Sequence, residues 1–302
     1  MIRTSPIPIS YLTGDSYKSD SPPLVLGRRV SGLLAEPFDK ETLQKRVLRK
    51  SGDKSKAQMA YYIDTRSLSL RLDQVVGPAN WESDIREIRD AGDRIVVTAS
   101  LMIGHVTRVA EGEELKNKIG YLSAEDKKAG KEPPIVPQEL VLMKAGPQAR
   151  KRAAVEFGVG AYLYGLKDVN TWEEIDTYGN PKDPNIDLAK FPDWVKPTAG
   201  PVLVAREAAY LLGINLPADI AQANKDDIAT IQGFLTKYFG VKTLATGFSR
   251  EDYIELAALI ARIADYLDVK GGDITTLPGI YNFSLQEVKI TTNPALVGVM
   301  NA

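Results

Sequence analysis

The 302-residue chain predicts an α+β fold that continues into an all-helical second part. Three observations carry this. Apolar residues recur with period two between Trp81 and Ala110, the spacing of half-buried strands. Segments on either side of that stretch repeat their apolar residues at helical spacing. A stretch rich in proline and glycine, Thr171 to Gly200, is followed by helical patterns alone.

Taken in order, Met1–Ser31 holds Pro6, Pro8, Pro22 and Pro23 and reads as an irregular arm that orders only against a partner. A first helix is expected from Asp39 to Lys50, with Asp39 as N-cap and Leu43, Val47 and Leu48 as its apolar stripe. Its basic end, Lys45, Arg46, Arg49 and Lys50, then Lys54 and Lys56, suits either a helix C-terminus or contact with phosphates. A second helix, Tyr61 to Val76, is stopped by Gly77-Pro78. Strands are expected over Ile85–Ile88, Arg94–Ile103 and Val106–Ala110, with Gly112 in the following turn and a further strand at Lys118–Tyr121. Lys127–Pro137 reads as a basic loop, and Pro147–Tyr164 as a helix that begins on its proline. The arm, a core domain over 32–170, a linker over 171–200 and a helical module over 201–302 complete the expected layout. In the module, Asn224 should cap a helix from Asp226 to Phe239, and Ser249 with Asp252 should form a capping box for a helix to Val269.

Composition narrows the chemistry. Apolar residues make up 44 % and charged residues 25 %, as in ordinary globular proteins. No membrane span or secretory leader is recognisable, and the expected setting is the cytoplasm. There is no cysteine and a single histidine, His105, so thiolate chemistry has no residue to use, and histidine metal clusters, or triads beyond that one ring, are out of reach. No GxxxxGK[ST] phosphate loop occurs, which argues against ATP-driven work. No cofactor is expected. The net charge of −1 conceals an asymmetry: residues 1–166 carry 26 basic and 21 acidic side chains, residues 167–302 carry 12 and 18. The first half is the one suited to a polyanion.

Ala149 to Leu166, ARKRAAVEFGVGAYLYGL, is the most informative stretch. At about 100° per residue, Ala149, Ala153 and Phe157 share one helix face, with Lys151 and Arg152 opposite. Such a helix lays small residues on a sheet and offers its two cations to phosphates. Arg150 projects inside the apolar arc and needs a partner, which a subunit boundary would supply. Tyr61, Tyr62 and Tyr121 suit either base stacking or the core.

Two signatures then stand out. Tyr62-Ile63-Asp64-Thr65-Arg66, running on to Leu72-Asp73 and Gly77-Pro78-Ala79-Asn80-Trp81, resembles the opening helix of the Rad-fifty-two family of single-strand annealing proteins. Lys151-Arg152-Ala153-Ala154, Phe157-Gly158 and Tyr162-Leu163-Tyr164 resemble its second signature. The likeness is greatest to the bacterial and phage branch of the DdrA type and covers about residues 55–175. It implies a twisted antiparallel β-sheet with a long helix packed across it, assembled into rings or helical arcs with single-stranded DNA in a basic groove. It places Lys151 and Arg152 on the family's groove-lining pair and Arg66 on the arginine usual in the bacterial branch. Pro147-Gln148 stand where the family usually has Thr-Asp.

The resulting expectation is ATP-independent single-stranded DNA binding and annealing in homologous recombination and repair of DNA damage, by a homo-oligomer and without enzymatic turnover. The DNA-contacting residues would be Lys151, Arg152, Arg66, Lys144, Lys54, Lys56 and Tyr62, with Arg150 at the oligomer interface. The helical module would bind single-strand-binding or other recombination proteins. Competing readings are a Mg²⁺-dependent nuclease built on Asp64, Asp73, Glu82 and Asp84, and a double-stranded-RNA-binding or structural module.

Overall fold

A computed structural model describes residues 24–116, 130, 138–166, 171–177, 179–243 and 248–270. The strand expected at Lys118–Tyr121 lies outside these residues, as do nearly all of the basic loop at Lys127–Pro137 and most of the N-terminal arm. The chain divides into two compact units, residues 34–197 and residues 1–33 with 198–302.

The elements of the first unit explain themselves in sequence order. Helix α1, Arg28–Ala35, begins inside the segment read as an irregular arm and belongs for most of its length to the second unit. The helix expected over 39–50 does not form. Asp39 starts one turn, its carbonyl accepting from the amides of Thr42 and Leu43, and the chain then extends into strand β1, Gln44–Lys50. β1 pairs antiparallel with β2, Lys56–Tyr62, so the basic run lies on a hairpin. The second helix is correspondingly shorter than expected. Tyr61 and Tyr62 belong to β2, and α2 spans Thr65–Val76, capped by the Asp64 carboxylate, which accepts from the Ser67 amide at 2.7 Å. Gly77 ends α2 at φ 85°, a conformation that favours glycine.

Strands β3 (Trp81–Asp90), β4 (Arg94–Ile103) and β5 (Val106–Leu115) form an antiparallel meander in that order. Gly112 lies within β5, opposite Val97, and not in a turn. Helix α3 spans Gln138–Val155, so Pro147 sits inside it instead of starting it. There the ring removes an amide that would bond the Met143 carbonyl. The expected continuation to Tyr164 is broken after Val155, where Gly158 (φ 92°) and Gly160 (φ 70°) take left-handed conformations before the short α4, Tyr162–Gly165. The segment expected as a linker contains β6, Trp172–Glu174, which pairs with β2. Its polar and proline-rich composition hid a strand that needs only three residues on an existing edge.

The fold is α+β, with the strands divided between two three-stranded antiparallel sheets, β1-β2-β6 and β3-β4-β5. The core of the second sheet is the packing of α3 on β4 and β5. Ile95, Val97 and Ala99 of β4 meet Val141, Ala145 and Ala149 of α3, all buried. The approach is close: a β-carbon at Gly112 would lie 2.2 Å from the Ala145 carbonyl oxygen and 2.5 Å from the Ala149 amide nitrogen. Small residues on the helix and glycine on the strand therefore act as one device.

The second unit is helical. It holds α5 (Gly200–Leu211), α6 (Lys225–Phe239) and α7 (Arg250–Lys270). Asn224 caps α6 through the Asp226 amide, and Gly240 closes it in the left-handed region. The capping box is reciprocal: the Ser249 amide donates to Asp252 Oδ2 at 2.7 Å and the Asp252 amide to Ser249 Oγ at 3.2 Å. Asp265 of α7 accepts from the amides of Arg29 and Val30, at 3.2 and 2.9 Å, and so caps the start of α1. Among the described residues no helix is long and apolar enough to cross a membrane.

Candidate nucleic-acid interface

The sheet β1-β2-β6 has two unlike faces. Ala57, Met59 and Tyr61 of β2 point into the core. The Tyr61 ring meets Phe191 edge-on at 5.0 Å, and its hydroxyl donates to Glu173 Oε1 at 2.6 Å. Burial, with Glu173 beside it, pushes the Tyr61 phenol far above its ordinary range. Lys45, one of the basic residues noted in the sequence, is absorbed here. Its side chain is 5 % exposed and its ammonium donates to Glu173 Oε2 at 2.6 Å and to the Asn185 carbonyl at 2.7 Å.

The other face carries cations and aromatics. Arg46 pairs in register with Ala60, and Arg49 with Gln58, two residues further along the same side of β2; Tyr62 ends that row. The guanidinium of Arg46 lies 5.9 Å from the centroid of the Tyr62 ring. Lys151, from α3, reaches the same ring, with Nζ 5.4 Å from its centroid, and donates to the Ile63 carbonyl at 3.3 Å. Two cations from different elements thus converge on one tyrosine. Lys151 does not stand clear of the protein as the helix geometry alone suggested. It is half-buried, and desolvation, helped by Arg46 and opposed by Asp64, holds its pKa below the usual lysine value.

Arg152 turns the other way. It is exposed and donates to the Glu111 carbonyl of β5 at 2.8 Å, so the adjacent pair serves two flanks of α3. Lys144 is exposed two turns before Lys151, on the same side of the helix. Arg66 is exposed in the first turn of α2, near enough to Asp64 to help lower its pKa after the dominant Ser67 amide bond. Lys54 and Lys56 are exposed at the hairpin tip, where Lys54 adopts φ 58°. The tip is shaped by Asp53, whose carboxylate accepts from Ser51 and Ser55 and is held at a pKa of about 2. Among the described residues, Arg46, Arg49, Lys50, Lys54, Lys56, Arg66 and Lys144 make no ion pair. Arg150 is half-buried with its Nε buried and unbonded among the described residues.

The carboxylates considered for a nuclease have local partners or none in common. Asp64 caps α2, Asp73 accepts from Trp81 Nε1 at 2.9 Å, and Glu82 and Asp84 are exposed on β3. Among the described residues no three acidic or histidine side chains gather as metal ligands would. His105 is exposed in the β4–β5 turn.

The sequence model of the Rad52/22 family of double-strand break repair proteins matches residues 28–180, just over half of the chain. The chain belongs to the Rad52/22 family. The match begins well before the two signatures and takes in the whole basic hairpin. Two curated relatives are both named single-stranded DNA-binding protein DdrA. That of Deinococcus radiodurans is 27 % identical over 165 residues, 54 % of this chain and 66 % of the relative. That of Deinococcus deserti is 31 % identical over 147 residues, 48 % of this chain and 59 % of the relative. The chain therefore spans less than two thirds of the length of either. Within the Rad52/22 match, Arg46, Arg49 and Trp172 are surface features of the sheet that the sequence reading had assigned to a helix and a linker. A hairpin signal was present in the alternation of Ala57, Met59 and Tyr61 behind the Gly-Asp turn.

Proposed function

We propose that this protein binds single-stranded DNA along the β1-β2 face and anneals complementary strands without ATP. The observation that carries the reading is the convergence of Lys151 and Arg46 on Tyr62, beside hairpin cations, Arg49, Lys50, Lys54 and Lys56, that have no ion pair among the described residues; Lys45, on Glu173, is the exception. Cations without carboxylate partners favour a polyanion over a protein surface of mixed charge. Contact through phosphates is independent of sequence, as annealing of arbitrary strands requires. The DdrA names and the family's role in double-strand break repair support the same substrate.

We further read the active form as a homo-oligomer. Among the described residues β3 is an edge strand of its sheet, and its Ile85 and Ile88 are exposed, as is Met143 of α3. An unpaired edge bearing apolar side chains is suited to joining a second sheet edge. Arg150, with its unbonded Nε, fits a boundary where a neighbour supplies the acceptor. The acidic second half is the region left to bind other repair proteins. Sedimentation of the protein with and without oligonucleotide tests the assembly: the expected species is several protomers in size, and monomer alone at micromolar concentration contradicts it. For the binding itself, mixing two complementary labelled strands with the protein, free of nucleotide and metal, should accelerate duplex formation. A rate equal to that of the strands alone contradicts the reading.

A further inference from the structure

We propose that Trp172 is a base-stacking position on this face, standing beside Arg49 at the opposite end from Tyr62. The inference rests on the single-strand-binding reading above and adds a contact to bases, where that reading invokes only the backbone. β6 sets Trp172 opposite Gln58, and β1 sets Arg49 opposite the same residue from the other side. The register shift between Val47 and Arg49 is what puts Arg49 there; an unbulged strand would place Leu48 against Gln58. Arg49, Gln58 and Trp172 therefore form one cross-strand row, Arg46 and Ala60 the next, and Gln44 and Tyr62 the third.

The end rows repeat one arrangement. The guanidinium of Arg49 lies 5.5 Å from the Trp172 ring centroid, as Arg46 and Lys151 lie 5.9 and 5.4 Å from that of Tyr62. An aromatic ring with a cation beside it is how sequence-tolerant single-strand sites hold a base and its phosphate together. Trp172 remains 37 % exposed, which leaves ring surface for a base. Four residues of β2 separate the end rows, roughly 13 Å of strand, or about four base rises at ~3.4 Å each. Trp172 would thus seat a base several nucleotides from the phosphates gripped beside Tyr62, fixing the strand's register while the bases between stay open to pair.

The test compares a thymidine oligonucleotide with an abasic strand of equal length, bound to the full chain and to Trp172→Ala and Trp172→Phe. Stacking is worth ~1–3 kcal/mol per base, so Trp172→Ala should weaken thymidine binding by roughly five- to 150-fold. Affinity for the abasic strand, and the salt dependence on both strands, should not change. Trp172→Phe should keep most of the thymidine affinity but lose the quenching of tryptophan fluorescence that the wild type should show with thymidine and not with the abasic strand. This fluorescence difference decides the matter even if the alanine variant folds poorly. Equal losses on both strands, or none on either, would overturn the stacking role and leave Trp172 as cover for the buried Gln58. Wild-type protein that binds neither strand would overturn the parent reading as well; a normal salt-dependent affinity without any base-dependent effect would overturn this inference alone.

Discussion

At the scale of single residues, the cations of the first half have very different surroundings, although they look alike in the sequence. Lys45 is spent on Glu173, Arg152 leans on a backbone carbonyl, and Lys151 is held half-buried against Tyr62. These differences separate their expected mutational effects. Arg152→Ala should reduce the slope of log affinity against log salt by about 0.7, the single-strand counterion contribution of one phosphate contact. Its effect on stability should stay within ~0.5 kcal/mol, as for other exposed positions. Lys151→Ala should reduce the slope similarly but also lower the melting temperature, because it empties a half-buried site and frees the Ile63 carbonyl. Binding titrations at several salt concentrations, with melts of the same variants, check both. Helix geometry alone could place Lys151 and Arg152 away from Ala149 and Ala153. It could not show that one of them is covered by a strand brought in from about ninety residues away.

Among the elements, the α3–β5 contact is the most demanding. Gly112→Ala would drive a β-carbon into the helix backbone, not into a side chain that can rotate away. Denaturant unfolding should show a loss of about 1–3 kcal/mol or more, with the helix-sheet unit failing to fold at the upper end. The small-residue face of α3, Ala145, Ala149 and Ala153, was legible because its period is local. The β1-β2 hairpin was not, because its basic outer residues match a helix end as well as a strand and only pairing decides between them. β6 was illegible for a similar reason: three residues become a strand only through the edge they meet. In the helical unit, Glu207 of α5 is buried, with Arg29 Nη1 3.5 Å from its Oε1 and its Oε2 unbonded among the described residues. Burial pushes its pKa up to about 7 from an ordinary value of 4.5, against the pull of Arg29. The folded chain then holds a proton that the unfolded chain releases, so stability should fall as pH rises from about 4.5 to about 7. Melts across that range should show the decline, and Glu207→Gln should make it shallower, leaving the part due to Glu255, whose pKa burial likewise raises to about 7; an unchanged slope in the variant would assign the dependence elsewhere.

For the whole molecule, the division of charge matches a division of structure. The basic half holds β1 to β5 and most of the family match; the acidic half supplies β6 and most of the helical unit. If DNA contact belongs to the first unit, a fragment ending at Pro197 should retain single-strand binding. A fragment ending near residue 175 should not fold well, since it loses Phe191, which packs on Tyr61. Circular dichroism and binding of the two fragments test this together. The central claim is that Lys151 and the sheet cations grip the DNA backbone so that strands can pair. Its most direct test is the annealing rate of complementary strands, without nucleotide or metal, for wild type and for the Lys151→Ala, Arg152→Ala double variant across a series of salt concentrations. The expected result is fast annealing by the wild type, and in the folded double variant slower annealing with a binding slope shallower by about 1.4, twice the single-contact value. An unchanged salt slope and unchanged annealing in a folded double variant would contradict it.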